Sequence, residues 1–298
     1  MSEAGAGALA PWFRLVAFRH SVFALPFALQ GAWLAARGVP RALDLLWIVV
    51  CAVSARTAAM AFNRLVDARV DAANPRTRER ELPAGRLRRG GVALLVVGAS
   101  AVFVAGAAAL NPLCARLAPA VLAVLFFYSF TKRFTWAAHA FLGLSLGLAP
   151  LGAWLAVRGE IDAAAVQVLW LAAAVLFWVA GFDLIYACQD SEFDRAAGLH
   201  SVPARFGRGV ALSAARACHA LTVALLVGTW HAAGLGWVYL AAVALAAGLL
   251  IWEHALVSPG DLARIDMAFF TLNGWIGVGL FVGLALDLYA AAPAAPWS

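Results

Sequence analysis

The first group of candidate functional residues lies between Asn63 and Asp71. Asn63, Asp67 and Asp71 recur every fourth residue, so on an α-helix their side chains would follow one face over two turns. Two carboxylates on one face repel each other, and Mg²⁺, which binds carboxylates together with substrate phosphates, would relieve that repulsion. A solvated helix end carrying Asp–Arg pairs, with Arg64 and Arg69 nearby, would also explain the pattern.

A second acidic motif follows the apolar stretch VLFWVAGF in the later half of the chain. Asp183, Asp190 and Asp194 are spaced so that a single helix would carry all three on one face, with Tyr186 and Gln189 beside them. We expect Asp183 below the membrane surface, where an ionisable side chain is costly and usually functional. Two such motifs on one side of a membrane favour a shared magnesium–diphosphate site over two solvated helix ends.

Basic and aromatic residues near these motifs are candidate contacts to an anion. Arg56 lies in an apolar segment two turns before Asn63, and a buried guanidinium needs an anionic partner, either a protein aspartate or a substrate carboxylate. Other candidates stand at helix ends or in the loop after Asp71, where phosphate contacts and plain interface anchoring both remain open. These are Arg19, His20, Arg76, Arg78, Arg80, Tyr128, Lys132 and Arg133.

Membrane helices are expected to carry the candidate residues of both motifs. Hydrophobic residues make up 64% of the 298 residues and charged residues only 13%, against roughly half and a quarter in soluble domains. Apolar runs near the span length of about 20 residues predict an all-α, polytopic membrane protein of nine helices in a single domain over residues 1–298. The predicted limits are 20–36, 43–62, 91–110, 115–130, 136–157, 164–189, 211–232, 235–253 and 267–289.

The basic residues predict the orientation of the bundle. They concentrate in the N-terminal segment and in alternate loops, whereas the opposite side carries Arg37, Arg41, Arg116 and Arg158. The positive-inside rule then places the N-terminus and both acidic motifs in the cytoplasm and the C-terminus outside. We expect no cleavable signal peptide. The pI of 9.7 follows from this topology and a phosphate site, so it calls for no nucleic-acid partner.

The two motif-bearing loops suggest an internal repeat with halves at about residues 14–130 and 136–289. Each half has an acidic helix end followed by a polar loop, although chance similarity between two loops would look the same. The four cysteines lie far apart in apolar stretches, and the six histidines form no metal-binding pair. A zinc or haem centre is therefore not expected.

Taken together, the motifs resemble those of the UbiA superfamily of intramembrane aromatic prenyltransferases. The resemblance rests on N-x-x-x-D-x-x-x-D, N-P-R-T-x-x-R-x-L-P-x-G, D-x-x-Y-x-x-Q-D-x-x-x-D and G-L-x-S-V-P-A-R-F-G, and it covers about residues 14–289. It implies nine helices around a central cavity capped by two cytoplasmic loops. The often-quoted first motif has Asp directly after Asn, whereas this chain has Arg64, which is not carried over as a ligand.

The resemblance also implies roles for individual residues. Two Mg²⁺ ions would be held by Asn63, Asp67, Asp71, Asp183, Asp190 and Asp194. Substrate contacts would come from Arg19, Arg56, Arg76, Arg80, Tyr128, Lys132 and Tyr186, with Arg56 facing the carboxylate of the aromatic acceptor. Among the catalytic aspartates of the second motif, Asp183 is the one we favour for orienting the phenol or taking the ring proton.

The implied reaction is transfer of a polyprenyl group from its diphosphate to a ring carbon of a hydroxylated aromatic acid. The expected acceptor is 4-hydroxybenzoate, as in ubiquinone synthesis; the alternative is a dihydroxynaphthoate, as in menaquinone synthesis. A membrane transporter is a distant alternative, since carboxylates of a proton pathway would lie near mid-membrane and these cluster at one surface.

Overall fold

The computed structural model describes residues 10–16 and 21–291, with side chains from residue 25 onward in the second range. Its helices are α1 Ser21–Ala36, α2 Ala42–Ala73, α3 Arg89–Leu110, α4 Pro112–Thr131, α5 Ala138–Arg158, α6 Val166–Ala187, α7 Ser191–Ala196, α8 Val202–Phe206, α9 Arg208–Ala233, α10 Trp237–Ala255 and α11 Asn273–Ala291. Short 3₁₀ turns, Ala163–Ala165 and Cys188–Asp190, flank α6, and a π-helical turn, Met267–Leu272, leads into α11.

The predicted all-α membrane bundle is confirmed. Within the described residues, eight helices are long and apolar enough to cross a membrane, namely α2, α3, α4, α5, α6, α9, α10 and α11 with their flanking turns. Helix α1 is also apolar, but its 16 residues fall short of the span of about 20 residues that a bilayer requires. Of the nine predicted spans, eight are therefore confirmed by length.

Helix α6 lies at the centre of the bundle, packed between α5 and α9. It is apolar around its whole circumference and mostly buried, as expected for a helix with neighbours on all sides. Gly143 and Gly147 of α5 allow it to approach closely, because a Cβ at Gly143 would lie 2.2 Å from the carbonyl oxygen of Leu176 and one at Gly147 2.9 Å from that of Ala172. This contact brings the start of α5 against the end of α6.

Helix α2 is longer than predicted. It continues past residue 62 to Ala73, so Asn63, Asp67 and Asp71 project from an uninterrupted helix. The predicted boundary was the end of the apolar run, which marks the end of the hydrocarbon layer. The hydrogen bonds of the helix can continue beyond that layer, and here they do so up to Ala73. The spacing argument for the first motif therefore holds, on a helix that extends beyond the apolar layer.

The second motif is not carried by one continuous α-helix, and that prediction is wrong. Helix α6 ends at Ala187, the 3₁₀ turn Cys188–Asp190 follows, and α7 begins at Ser191. A 3₁₀ turn winds more tightly than an α-helix, so it changes the directions in which side chains on either side of it point. The aspartates of this motif consequently have separate environments instead of one shared helix face.

Candidate functional site

An elongated cavity of about 780 Å³ lies between α2, α4, α5 and α6. One end is lined by five carboxylates, those of Asp67, Asp71, Asp183, Asp190 and Asp194. Away from them the walls are apolar, with Ile48, Leu117 and Leu155 among the lining residues. Ile48 stands about 28 Å from Asp67 along α2, at 1.5 Å of rise per residue. The cavity thus suits a ligand with a charged head and a long apolar tail.

The first motif is paired with Arg80 of the loop that follows it and with Arg133, which lies between the two halves of the chain. Asp67 accepts hydrogen bonds from the Asn63 amide at 2.9 Å and from Arg133 at 3.1 Å. Arg80 donates to one oxygen of Asp71 at 2.7 Å. The other oxygen of Asp71, Oδ2, is buried and has no hydrogen-bond partner among the described residues. It is therefore a free acceptor beside the cavity.

In the second motif, Asp190 accepts hydrogen bonds from side chains of the loop that follows the first motif. Its Oδ1 accepts hydrogen bonds from the Arg76 Nε at 2.8 Å and from the Asn74 amide at 3.1 Å, and Arg76 also contacts Oδ2. Arg76 donates a further hydrogen bond to the Tyr186 hydroxyl at 3.0 Å. Burial alone would lower the pKa of Arg76, but the hydrogen bond to and charge of Asp190 raise it above its ordinary value. These contacts join the two halves of the site.

Asp194 is the most enclosed carboxylate of the site. Its side chain is 4% exposed and lies 3.7 Å from the Lys132 ammonium. The Ser201 hydroxyl donates a hydrogen bond to it at 3.0 Å, and the same oxygen caps α8 by accepting from the Ala204 N–H. Lys132, predicted as a phosphate contact, therefore lies at the site and is held by the second motif.

Asp183 is paired with a histidine that the motifs did not reveal. His139 Nδ1 lies 2.6 Å from an Asp183 oxygen, and the backbone N–H of Val202 donates to His139 Nε2 at 3.4 Å. Because Nε2 accepts, the proton of a neutral ring resides on Nδ1 and is donated to Asp183. The signal available in the sequence was a histidine at the start of an apolar helix, where a polar side chain needs a partner.

Arg56 and Tyr128 line the cavity between its charged and apolar parts. The Arg56 Nε is buried without a hydrogen-bond partner, and its side chain makes no ion pair within the described residues. A protein aspartate, one of the two partners considered for Arg56, is thus not found there. The Tyr128 hydroxyl has Asp183 and Asp67 as charged neighbours.

One predicted contact, Arg78, lies away from this site, and two others, Arg19 and His20, lie outside the described residues. Arg78 points to the surface and lies 3.9 Å from Glu79, both side chains being largely exposed. Its neighbours in the same loop, Arg76 and Arg80, line the cavity instead. The loop after the first motif is therefore divided, with alternate arginines facing the site.

The donor set fits Mg²⁺ better than a metal held by protein alone. Among the described residues, no group of three or more His, Cys, Asp or Glu side chains converges closely enough to hold a metal ion. Mg²⁺, however, is usually bound by one or two carboxylates together with water and substrate phosphates. The unpartnered Asp71 Oδ2 and the carboxylates around it are hard oxygen donors of that kind.

The sequence matches known proteins along almost its whole length. The model of the UbiA prenyltransferase family matches residues 24–276. A 4-hydroxybenzoate octaprenyltransferase of Nitrosospira multiformis is 34% identical over 89% of this chain and 89% of its own length. One of Aromatoleum aromaticum is also 34% identical, over 90% of this chain and 89% of its own.

Solved structures agree with this match. The apo structure of a UbiA homologue from Aeropyrum pernix superposes with a TM-score of 0.82 at 36% identity, covering 90% of this chain and 98% of the other. A UbiA homologue from Archaeoglobus fulgidus, solved with DMAPP and Mg²⁺, gives a TM-score of 0.69 at 20% identity over 94% of this chain and 99% of the other. At that identity the likeness concerns the fold.

Proposed function

Because the chain belongs to the UbiA prenyltransferase family, we propose that it transfers a polyprenyl group from polyprenyl diphosphate to a ring carbon of 4-hydroxybenzoate. The observation that carries this proposal is the elongated cavity, which combines acidic and basic side chains at one end, an unpaired arginine farther in and apolar walls beyond. Each part corresponds to one chemical part of the two substrates.

The diphosphate of the donor belongs at the charged end. Arg76, Arg80 and Lys132 line that end and can donate charge-assisted hydrogen bonds to phosphate oxygens. The residues that would hold Mg²⁺ are Asn63, Asp67, Asp71, Asp183, Asp190 and Asp194. The metal, when bound, supplies positive charge that stabilises the departing diphosphate.

The isoprenoid tail belongs in the apolar part of the cavity. Side chains such as Leu117 and Leu155 offer no polar group there. As the bond between C1 and the diphosphate oxygen breaks, C1 becomes an allylic cation, which water would capture readily. A dry apolar wall prevents that side reaction and leaves the ring of the acceptor as the available nucleophile.

The acceptor belongs between these two regions. Arg56, which makes no ion pair within the described residues, lies about 10 Å along the helix from Asn63, at 1.5 Å of rise per residue. A guanidinium binds a carboxylate in a bidentate manner. The ring carbon next to the phenol hydroxyl then forms the new carbon–carbon bond and loses its proton. Asp183, which lines the cavity and is held by His139, is the carboxylate suited to orienting the phenol or receiving that proton.

We further propose that the protein lies in the cell inner membrane with its charged end in the cytoplasm. The support is the excess of arginine in the loops next to the two motifs. In this orientation a water-soluble aromatic acid and Mg²⁺ reach the charged end directly, and the donor's tail stays in the bilayer.

The proposal is tested with the full-length protein in lipid nanodiscs containing a polyprenyl diphosphate and Mg²⁺. The acceptors are 4-hydroxybenzoate, a 1,4-dihydroxynaphthoate, and phenol as a matched acceptor that lacks the carboxylate. We expect prenylated 4-hydroxybenzoate and release of one pyrophosphate per product, with phenol far less reactive. If only the dihydroxynaphthoate is prenylated, it takes the place of 4-hydroxybenzoate as the proposed acceptor. If neither aromatic acid is prenylated, the proposal is refuted.

A further inference from the structure

The cations that line the cavity fall into two groups. Among the described residues these are Arg56, Arg64, Arg76, Arg80, Lys132 and Arg133. Four of them are ion-paired with aspartates of the motifs: Arg76 with Asp190, Arg80 with Asp71, Lys132 with Asp194 and Arg133 with Asp67. The remaining two, both on α2, make no hydrogen bond or ion pair within the described part of the chain.

Arg64 differs from Arg56 in its surroundings. The charged neighbours of Arg64 are Arg80, Asp71, Asp67 and Glu81, all from the charged end of the cavity. Among the described residues, the charged neighbour of Arg56 is Arg64, which lies about 12 Å farther along the helix axis at 1.5 Å of rise per residue. The two guanidiniums therefore stand at different depths, and within the described residues neither forms an ion pair, although Asp67, Asp71 and Glu81 lie near Arg64.

Resting on the proposed function, we propose that Arg64 binds the diphosphate of the prenyl donor directly and does so without needing a metal ion. The four paired cations share their charge with an aspartate, whereas Arg64 is ion-paired with no carboxylate among the described residues. A guanidinium is also the side chain best matched to phosphate oxygens. Two unpaired arginines at two depths then correspond to two anionic groups, the donor's diphosphate and the acceptor's carboxylate.

The type of residue at position 64 also favours direct binding of diphosphate. Where the often-quoted motif has a carboxylate after Asn63, this chain has a guanidinium, a change of two charge units at the charged end. A carboxylate there would repel diphosphate unless a metal ion lay between them. Arg64 attracts it directly, so this chain should retain affinity for diphosphate when metal ions are removed.

The test is equilibrium dialysis of labelled inorganic pyrophosphate against the purified full-length protein in EDTA. We expect binding by the unsubstituted protein and a roughly ten- to hundredfold weaker affinity for Arg64→Ala, the loss typical of one charge-assisted hydrogen-bonding group. Arg64→Asp should bind pyrophosphate only when Mg²⁺ is added. Arg69→Ala is the matched control, since Arg69 is an exposed arginine of the same helix that does not line the cavity.

Arg56→Ala separates the two arginines in the same assay. It should keep its affinity for pyrophosphate and lose affinity for labelled 4-hydroxybenzoate. If Arg64→Ala does not fold, Arg64→Gln, which keeps part of the aliphatic stem and a polar end but no charge, takes its place. The proposal is overturned if the unsubstituted protein binds no pyrophosphate in EDTA, or if Arg64→Ala binds it as well as Arg69→Ala does. Absence of prenyl transfer alongside the expected pyrophosphate result would overturn the proposed function and leave this inference standing.

Discussion

The two aspartate motifs differ in how firmly the rest of the protein holds them. In the first, Asp67 is 28% exposed and is paired with a half-exposed Arg133. In the second, Asp194 is 4% exposed and is held by a lysine and a serine hydroxyl, and Asp190 receives two side chains from the loop of the other half. Asp67 is thus the least enclosed carboxylate of the site, although Asp71 of the same motif is 7% exposed and paired with Arg80. We therefore expect the first motif to adjust at Asp67 when a substrate arrives.

This difference has a cause in the chain. The first motif projects from one uninterrupted helix, so its side chains can be supported only by what packs against that helix. The second motif spans the end of α6, the 3₁₀ turn and α7. The loop after α2 and the residue that caps α8 contact its carboxylates. Irregular backbone brings several neighbours to the same carboxylate, which a straight helix does not.

The largest expected effect is at Asp190. Asp190→Ala removes a carboxylate of the site and also leaves Arg76 and Asn74 without their partner, so the loop of the first half loses its anchor. We expect turnover to fall roughly 10²–10³-fold, as when one group that stabilises developing charge is lost. The rate of prenyl transfer in nanodiscs measures this. If a correctly folded Asp190→Ala variant turned over at the wild-type rate, Asp190 would have no role in the reaction.

Asp67→Ala removes one carboxylate of the first motif and leaves Asn63 and Asp71 in place. Among the described residues, Asp67 bonds to Asn63 and Arg133, neither of which belongs to the other half. We expect a smaller loss, roughly 10- to 100-fold, the value of one charge-assisted interaction. Measured at several Mg²⁺ concentrations, the loss should shrink as Mg²⁺ rises. A loss larger than that of Asp190→Ala would reverse the ranking of the two motifs.

Arg56→Ala tests the part of the acceptor region that would bind the carboxylate of 4-hydroxybenzoate. We expect the KM for 4-hydroxybenzoate to rise roughly 10- to 100-fold, since a charge-assisted contact to its carboxylate is removed. The KM for the prenyl diphosphate should stay nearly unchanged. Steady-state kinetics with each substrate varied in turn gives both values. An equal rise in both would mean that Arg56 supports the fold of the cavity instead.

The smallest effects come from two serines that support the motifs. Ser201→Ala removes a 3.0 Å hydrogen bond to Asp194 and the cap of α8, and we expect a lower Tm and a loss of activity of about two- to tenfold. Ser129→Ala removes only a 3.5 Å contact to Asn63 and should change activity less than about twofold. Ser201→Thr, which keeps the hydroxyl, should behave as wild type. Equal effects of the two alanine substitutions would show that both motifs are held equally.

Much of the fold followed from the sequence, because lipid sets both the length and the composition of a spanning helix. The eight confirmed spans begin and end within a few residues of the apolar runs, except at the end of α2. There the helix continues through polar residues up to Ala73, and an apolar run carries no information about a helix outside the hydrocarbon. The break between α6 and α7 was missed for a similar reason, since no proline or glycine marks it.

The site could be predicted in part. Spacing alone placed Asn63, Asp67 and Asp71 on one face, because a helix fixes that relation locally. The contacts of Asp190 with Asn74 and Arg76 join residues more than a hundred positions apart, so only the packing of two loops could reveal them. The same holds for His139 beside Asp183, which depends on the close approach of α5 to α6.

The proposed function requires the two motifs to act as halves of one diphosphate site. It is tested most directly by the binding of Mn²⁺, a paramagnetic substitute for Mg²⁺, to the purified protein with and without pyrophosphate, followed by electron paramagnetic resonance. We predict tight Mn²⁺ binding only when pyrophosphate is present, and its loss both in Asp67→Ala/Asp71→Ala and in Asp190→Ala/Asp194→Ala. Wild-type pyrophosphate-dependent binding in either double variant would show that one motif suffices and would contradict the account.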